Sequence, residues 1–225
     1  MLHTILPTQM QAAEQTAFAA GLSPLLTMET AARAAFDVLL DLLGCDCRGK
    51  NVLFLCGPGN NGGDGLVMAR LLLQARGFAR IILLDTPKTA EAQINLRHLQ
   101  AMGADIEAVP DELLEDEYDA VVDALFGTGF TGSIAADSPA GRLLTWANTC
   151  GPMLSIDVPS GMDAATGAVE GVCAQAIWTV TFHRPKPGLY LTERRDCVGE
   201  ITVAPIGLPR EFDPQGGLLV NEEGD

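Results

Sequence analysis

"NVLFLCGPGNNGGDGLVMARLLLQARG", residues 51–77, decides how this chain folds. Its first six residues form a short continuous apolar run, the pattern of a strand buried on both faces. Residues 64–77 read as a helix closed by Gly77. Between them lies a glycine-rich loop. Gly57, Gly59 and Gly62 satisfy the G-x-G-x-x-G spacing of dinucleotide-binding turns. A tight strand-to-helix turn needs glycines too, so the spacing alone settles little.

The alternation continues outward. "RIILLD" (80–85) is a second buried strand, and 89–103 a helix ending at Gly103. Residues 104–106 suggest a short strand and 111–117 a short acidic helix. Strands are expected around 120–123, within 152–161 where a turn follows, at 176–183 and at 199–207. Ser138 and Pro139 open a helix over 138–150. Two helices precede the alternation, over 7–20 and over 27–43, the second with Thr27 as its cap. Strands alternating with helices predict an α/β fold with a mainly parallel sheet covered on both faces. One domain over 1–225 is expected, with residues 209–225 as a polar tail ending in "NEEGD".

Composition narrows the function. The formal charge of −15 argues against sequence-independent nucleic-acid binding, which runs on basic patches. No apolar run reaches the roughly 18 residues of a membrane span, and the N-terminus lacks the pattern of a signal peptide. Six scattered cysteines without C-x-x-C or zinc-ligand spacing suggest reduced core thiols, hence the cytoplasm.

In parallel sheets ligands bind beyond the carboxyl ends of the strands. Four segments fall there: the opening loop, "DALFGTGFTGS" (123–133), "IDVPSGMD" (156–163) and "TFHRPKPGL" (181–189). They carry Asp123, Asp157, Ser160 and Lys186. Asp85 ends the second strand where a Rossmann oxidoreductase would hold a ribose hydroxyl. Against that cofactor reading, Pro58 deletes a backbone donor, and Asn60, Asn61 and Asp64 bring oxygens a pyrophosphate loop does not need. Such oxygens suit a cation or a hydroxylated substrate.

Together "GPGNNGGDGLVMAR", "VVDALFGTG", "SIDVPSGMD" and "TFHRPKPGL" resemble the YjeF N-terminal domain family, the NAD(P)H-hydrate epimerases. "MQAAEQTAFAAG" and "TMETAA" resemble that family's leading helices, so the likeness spans about residues 8–208. The resemblance implies a Rossmann-like three-layer α/β/α sandwich, a homodimer, and interconversion of the R and S forms of NADHX and NADPHX, the 6-hydroxy hydrates of NADH and NADPH. It implies as functional partner an S-specific dehydratase, separate or fused. It places Asn60, Asn61, Gly62, Gly63 and Asp64 at the substrate, with Gly127, Thr128, Gly129, Phe130, Thr131, Gly132, Ser133 and Asp157. It makes Asn61, Asp123 and Ser160 ligands of K+, one per subunit. Asp123 is the first candidate for general acid and base, and Asp157 the second. A lysine expected after the second strand is matched to Lys88. Relatives commonly carry glycine where this chain has Ala32. Two other readings remain: a non-catalytic binding module of the same fold, and an NAD-dependent oxidoreductase.

Overall fold

The computed structural model describes residues 2–113, 116–214 and 219–220. Its elements are β1 (Leu2–His3), α1 (Pro7–Ala19), α2 (Pro24–Leu42), β2 (Asn51–Cys56), α3 (Asn60–Gln74), β3 (Phe78–Leu83), α4 (Ala90–Ala101), β4 (Asp105–Ala108), β5 (Ala120–Ala124), α5 (Pro139–Ala147), β6 (Met153–Ile156), β7 (Trp178–Phe182), α6 (Gly188–Leu191), β8 (Glu200–Ala204) and β9 (Leu219–Val220). Seven strands form one sheet in the order β4-β3-β2-β5-β6-β7-β8, every pair parallel. The chain winds outward from β2 to β4, returns to the other side of β2, and winds to β8. The strand order therefore reverses between β2 and β5, and the loops that leave those two strands part there.

Period-two alternation builds two cores. From β2, Val52, Phe54 and Cys56 face the core shared with α1, α2 and α3. Leu53 and Leu55 face the opposite core, with Leu143, Leu144 and Ala147 of α5. This is a three-layer sandwich. Ala32 is fully buried in the first core.

Helix starts depart most from expectation. The side chain of Ser23, rather than Thr27, accepts from Leu26 N, so α2 begins at Pro24. Ser138 caps α5 as expected, accepting from Gly141 N at 3.0 Å. The most consequential shift is in α3, which begins at Asn60 with Gly59 as its N-cap. "NNGGD" is thus the first turn of a helix and not a loop.

The acidic helix expected over 111–117 does not form among the described residues there, with Leu114 and Glu115 outside them. Nor does the tail begin at 209. Leu208 is buried, Phe212 packs on the first core, and Asp213 pairs with His183 and Arg184. "NEEGD" lies outside the described residues.

Candidate active site

The glycines after β2 serve the packing of the chain on itself. A Cβ on Gly57 would stand 1.8 Å from the Leu125 carbonyl oxygen, and one on Gly62 the same distance from that of Gly57. Side chains are excluded there because the turn lies directly on the end of β5. This close packing starts α3 early and fixes its first turn. Asn61 and Asp64, three apart, then share a helix face that points inward, and both are buried.

Asn61 carries the clearest sign of a missing partner. Its Oδ1 and Nδ2 are both buried, and neither makes a hydrogen bond among the described residues. Unpaired buried amides are costly and rare outside ligand sites. Gly127 lies beside it: a Cβ there would be 2.8 Å from Asp157 Oδ2 and 3.2 Å from Asn61 Oδ1. Glycine at 127 leaves the room these two side chains occupy.

Asp157 is aimed by its backbone. Its φ is +68°, and Val158 N donates to the Ile156 carbonyl across it at 2.9 Å. That is a three-residue γ-turn of the strained hand, which extended chain does not adopt without compensation. The Asp157 N–H donates to Val180 O at 2.7 Å. The carboxylate then reaches two partners. Oδ2 accepts from Thr128 N at 2.8 Å, and Oδ1 lies 2.8 Å from Lys186 Nζ. Lys186 is fully buried and also donates to the Phe182 carbonyl at 2.7 Å. The same turn recurs at the end of β7, where His183 has φ +64° and Arg184 N donates to Phe182 O at 2.7 Å. Two adjacent strands thus end in matching strained turns that bring Asp157 and Lys186 together.

Asp123, at the end of β5, is sealed behind this pair. Its Oδ2 accepts from Ser155 Oγ at 2.8 Å and from Ser160 N at 2.9 Å. Its Oδ1 accepts from Ser160 Oγ at 2.6 Å and from Leu125 N at 3.3 Å. Ser160 Oγ accepts from Phe126 N at 2.9 Å and lies 3.2 Å from the Phe126 carbonyl oxygen. Burial raises the Asp123 carboxyl above the ordinary carboxylate range, and the hydrogen bonds oppose that rise.

In front of Asp157 and Lys186 opens a cleft of about 410 Å³ at the point where the strand order reverses. Of the expected residues, Asn60, Asn61, Asp64, Gly127, Thr128, Gly129, Phe130 and Asp157 line it. Gly62, Gly63, Thr131, Gly132, Ser133, Asp123 and Ser160 do not. Lys88 does not converge on it either: its exposed ammonium pairs with Asp85 Oδ2 at 2.8 Å. The lysine brought to the acidic cluster is Lys186. Asp85, the expected ribose ligand, is exposed and outside the cleft.

Three further carboxylates shape the field: Asp64, expected from the sequence, and Glu14 and Glu91, which were not. Asp64 is pushed well above the carboxylate range by burial, then by the negative charges of Asp157 and Glu14. Glu14, from α1, is raised to about 7 by burial first, then by Asp157, while Lys186 pulls it down. Glu91 of α4 stands at the lining as well. Glu14 and Glu91 escaped the sequence reading because they sit on helices, away from any strand end. In Glu14 the one available signal was an acid on an otherwise apolar-spaced face with Met10, Ala13 and Ala17.

The family model for the YjeF-related protein N-terminus matches residues 26–188. The "Bifunctional NAD(P)H-hydrate repair enzyme Nnr" of Moorella thermoacetica is 38% identical over 72% of this chain and 32% of its own length. The protein of the same name from Pyrobaculum aerophilum is 36% identical over 94% of this chain and 43% of its own length. The chain therefore spans less than half of these bifunctional relatives. The "NAD(P)H-hydrate epimerase" of Nitrosopumilus maritimus is 35% identical over 83% of this chain and 86% of its own. Among solved structures, that of yeast ynu0 superposes with a TM-score of 0.78 at 20% identity, covering 99% of this chain and 98% of that one, which shows the shared fold.

Proposed function

This chain belongs to the YjeF-related N-terminal family, and from that premise we propose that its cleft interconverts the R and S forms of NADHX and NADPHX. The observation that carries the reading is the convergence of Asn61, Asp64 and the Asp157–Lys186 ion pair on one cleft. The dinucleotide is then substrate and not cofactor. A cleft of about 410 Å³ takes a hydrated nicotinamide ring and its ribose. The remainder of the molecule extends along the loop that begins at Gly127.

Epimerisation at C6 requires the hydroxyl to leave and return on the other face. The ring nitrogen pushes it out, leaving an iminium-like cation. Asp157, fixed by Thr128 N and Lys186, places a carboxylate where that positive charge develops. Asp123 does not line this volume; it holds Ser155, Ser160 and the Leu125 turn in place and supplies the charge of a cation site behind the wall. Water returning to the cation completes an isomerisation with no net redox change.

A potassium ion, one per subunit, would be held by Asn61 of the cleft wall together with Asp123 and Ser160 behind it. Asn61 Oδ1 lacks a partner, and the buried Asp123 has no cationic partner among the described residues. With Ser160 Oγ they form an all-oxygen set with one formal charge, suited to a hard monovalent ion. When bound, the ion would supply a fixed positive charge holding Asn61 and the loop after β5. Six free cysteines, five of them buried, support a reducing compartment, the cytoplasm. Among the described residues no helix is long and apolar enough to cross a membrane. A separate S-specific dehydratase would consume the product, and a homodimer is the assembly expected.

The reading is tested with pure R hydrate, a coupled S-specific dehydratase and this protein. Consumption of the R form well above its spontaneous rate, faster in potassium than in tetramethylammonium buffer, is the expected result. Loss of R hydrate at the spontaneous rate only would refute it.

A further inference from the structure

One face of α1 looks into the cleft. Met10, Glu14 and Phe18, spaced four apart, form a stripe along its wall, while Ala13 and Ala17 seat the helix on the core. Glu14 therefore offers a carboxyl group to the cleft between two apolar side chains. That carboxyl makes no hydrogen bond or ion pair among the described residues.

The charged groups facing it are Asp64 on α3, Glu91 on α4, Asp157 after β6 and Lys186 after β7. Lys186 is the only cation among these, and it is already bound by Asp157 and the Phe182 carbonyl. Asp157 accepts from Thr128 N on Oδ2, and its Oδ1 is ion-paired with Lys186 without making a hydrogen bond. Asp123 is sealed by Ser155 and Ser160. Several carboxylates around a single committed ammonium disfavour one another's charge, which favours a proton on one of them.

We propose that Glu14 is the general acid and base of the epimerisation, giving its proton to the departing C6 hydroxyl and recovering one from the water that returns. This rests on the epimerase reading above. In the forward step the Glu14 O–H bond breaks as the proton moves to the hydroxyl, and the C6–O bond breaks with its electron pair leaving on water. The ring nitrogen lone pair forms the iminium bond. In the return step the planar ring has turned about its bond to the ribose, water attacks C6 on the face now turned to Glu14, its proton passes to the Glu14 carboxylate, and the electron pair goes back to nitrogen. Charge and atoms balance with no other reactant.

Two further points favour Glu14 over its neighbours. A group poised near 7 exchanges protons most effectively at neutral pH, and Glu14 is raised to about 7. Asp64 is more deeply buried than Glu14 and sits in the first turn of α3, whereas Glu14 lies along the wall between Met10 and Phe18.

The test compares wild type with Glu14→Gln and Glu14→Asp, measuring kcat and KM for R-to-S conversion across about pH 5–9. Glu14→Gln should lower kcat about 100-fold with KM unchanged and erase the inflection near neutrality. Glu14→Asp should restore part of the rate with the inflection. Carbon-13 titration of the wild-type Glu14 carboxyl, assigned by its loss in Glu14→Gln, should show a midpoint near 7 and not near 4.5. Active wild type with an unimpaired Glu14→Gln, or a midpoint near 4.5, overturns the role of Glu14 alone. Wild type without turnover overturns the epimerase reading and this inference with it.

Discussion

Asp123 and Asp64 are both buried carboxylates beside the same strand ends, and they are held in opposite ways. Asp123 has donors on both oxygens, from Ser155, Ser160 and Leu125. Asp64 makes no side-chain hydrogen bond among the described residues and faces the cleft. Asn61, one turn away, is unpartnered in the same direction. Folding alone favours the first arrangement, because a buried polar group without partners costs free energy. The second persists where a ligand supplies what the chain omits. Satisfaction of buried polar groups thus separates the scaffold from the site more sharply than residue type or position along a strand.

The largest effect should come from breaking the Asp157–Lys186 ion pair at the cleft. Asp157→Asn leaves the buried Lys186 ammonium unpaired, with an expected loss of about 3–5 kcal/mol in chemical denaturation. Turnover of the R hydrate should fall at least about 100-fold in protein that remains folded. A variant as stable and active as wild type would show that this pair is not the hinge of the site.

A matched pair of substitutions sharpens the comparison itself. Asp123→Asn points an amide N–H₂ at serine hydroxyls and backbone donors, so it should cost about 2–3 kcal/mol. Asp64→Asn replaces an unpartnered carboxyl by a near-isostere and should change stability by less than about 0.5 kcal/mol. Equal losses in the two variants would erase the distinction drawn between them.

Lys88→Ala should have the smallest effect. Lys88 and Asp85 form an exposed pair, whose loss is worth less than about 1 kcal/mol. Unchanged kcat in the coupled assay is expected, and a large loss would return Lys88 to the site in place of Lys186.

Much of this was legible in the sequence. The apolar run of β2 coincides with the strand from Asn51 to Cys56, because a strand buried on both faces has no competing pattern. The four strand-end segments supply Asn61, Gly127, Asp157 and Lys186, since a parallel sheet gathers those ends on one edge. The start of α3 was not legible. Two asparagines and two glycines are poor helix formers, and only the close packing of Gly57 on the end of β5 and of Gly62 on Gly57 makes them a first helical turn. The choice between Lys88 and Lys186 turned on which strand end curls inward, which depends on the strained turns at Asp157 and His183. Glu14 was out of reach for a different reason: no local pattern reports that α1 lies along a cleft built from loops more than forty residues further on.

The measurement that bears most directly on the central claim is chromatographic separation of the two hydrate epimers after the protein is added to pure R hydrate alone. The account predicts that the S form accumulates to the equilibrium mixture far ahead of the protein-free control, and that Asp157→Asn abolishes the acceleration. An R hydrate peak that decays no faster with the protein than without it would contradict the account.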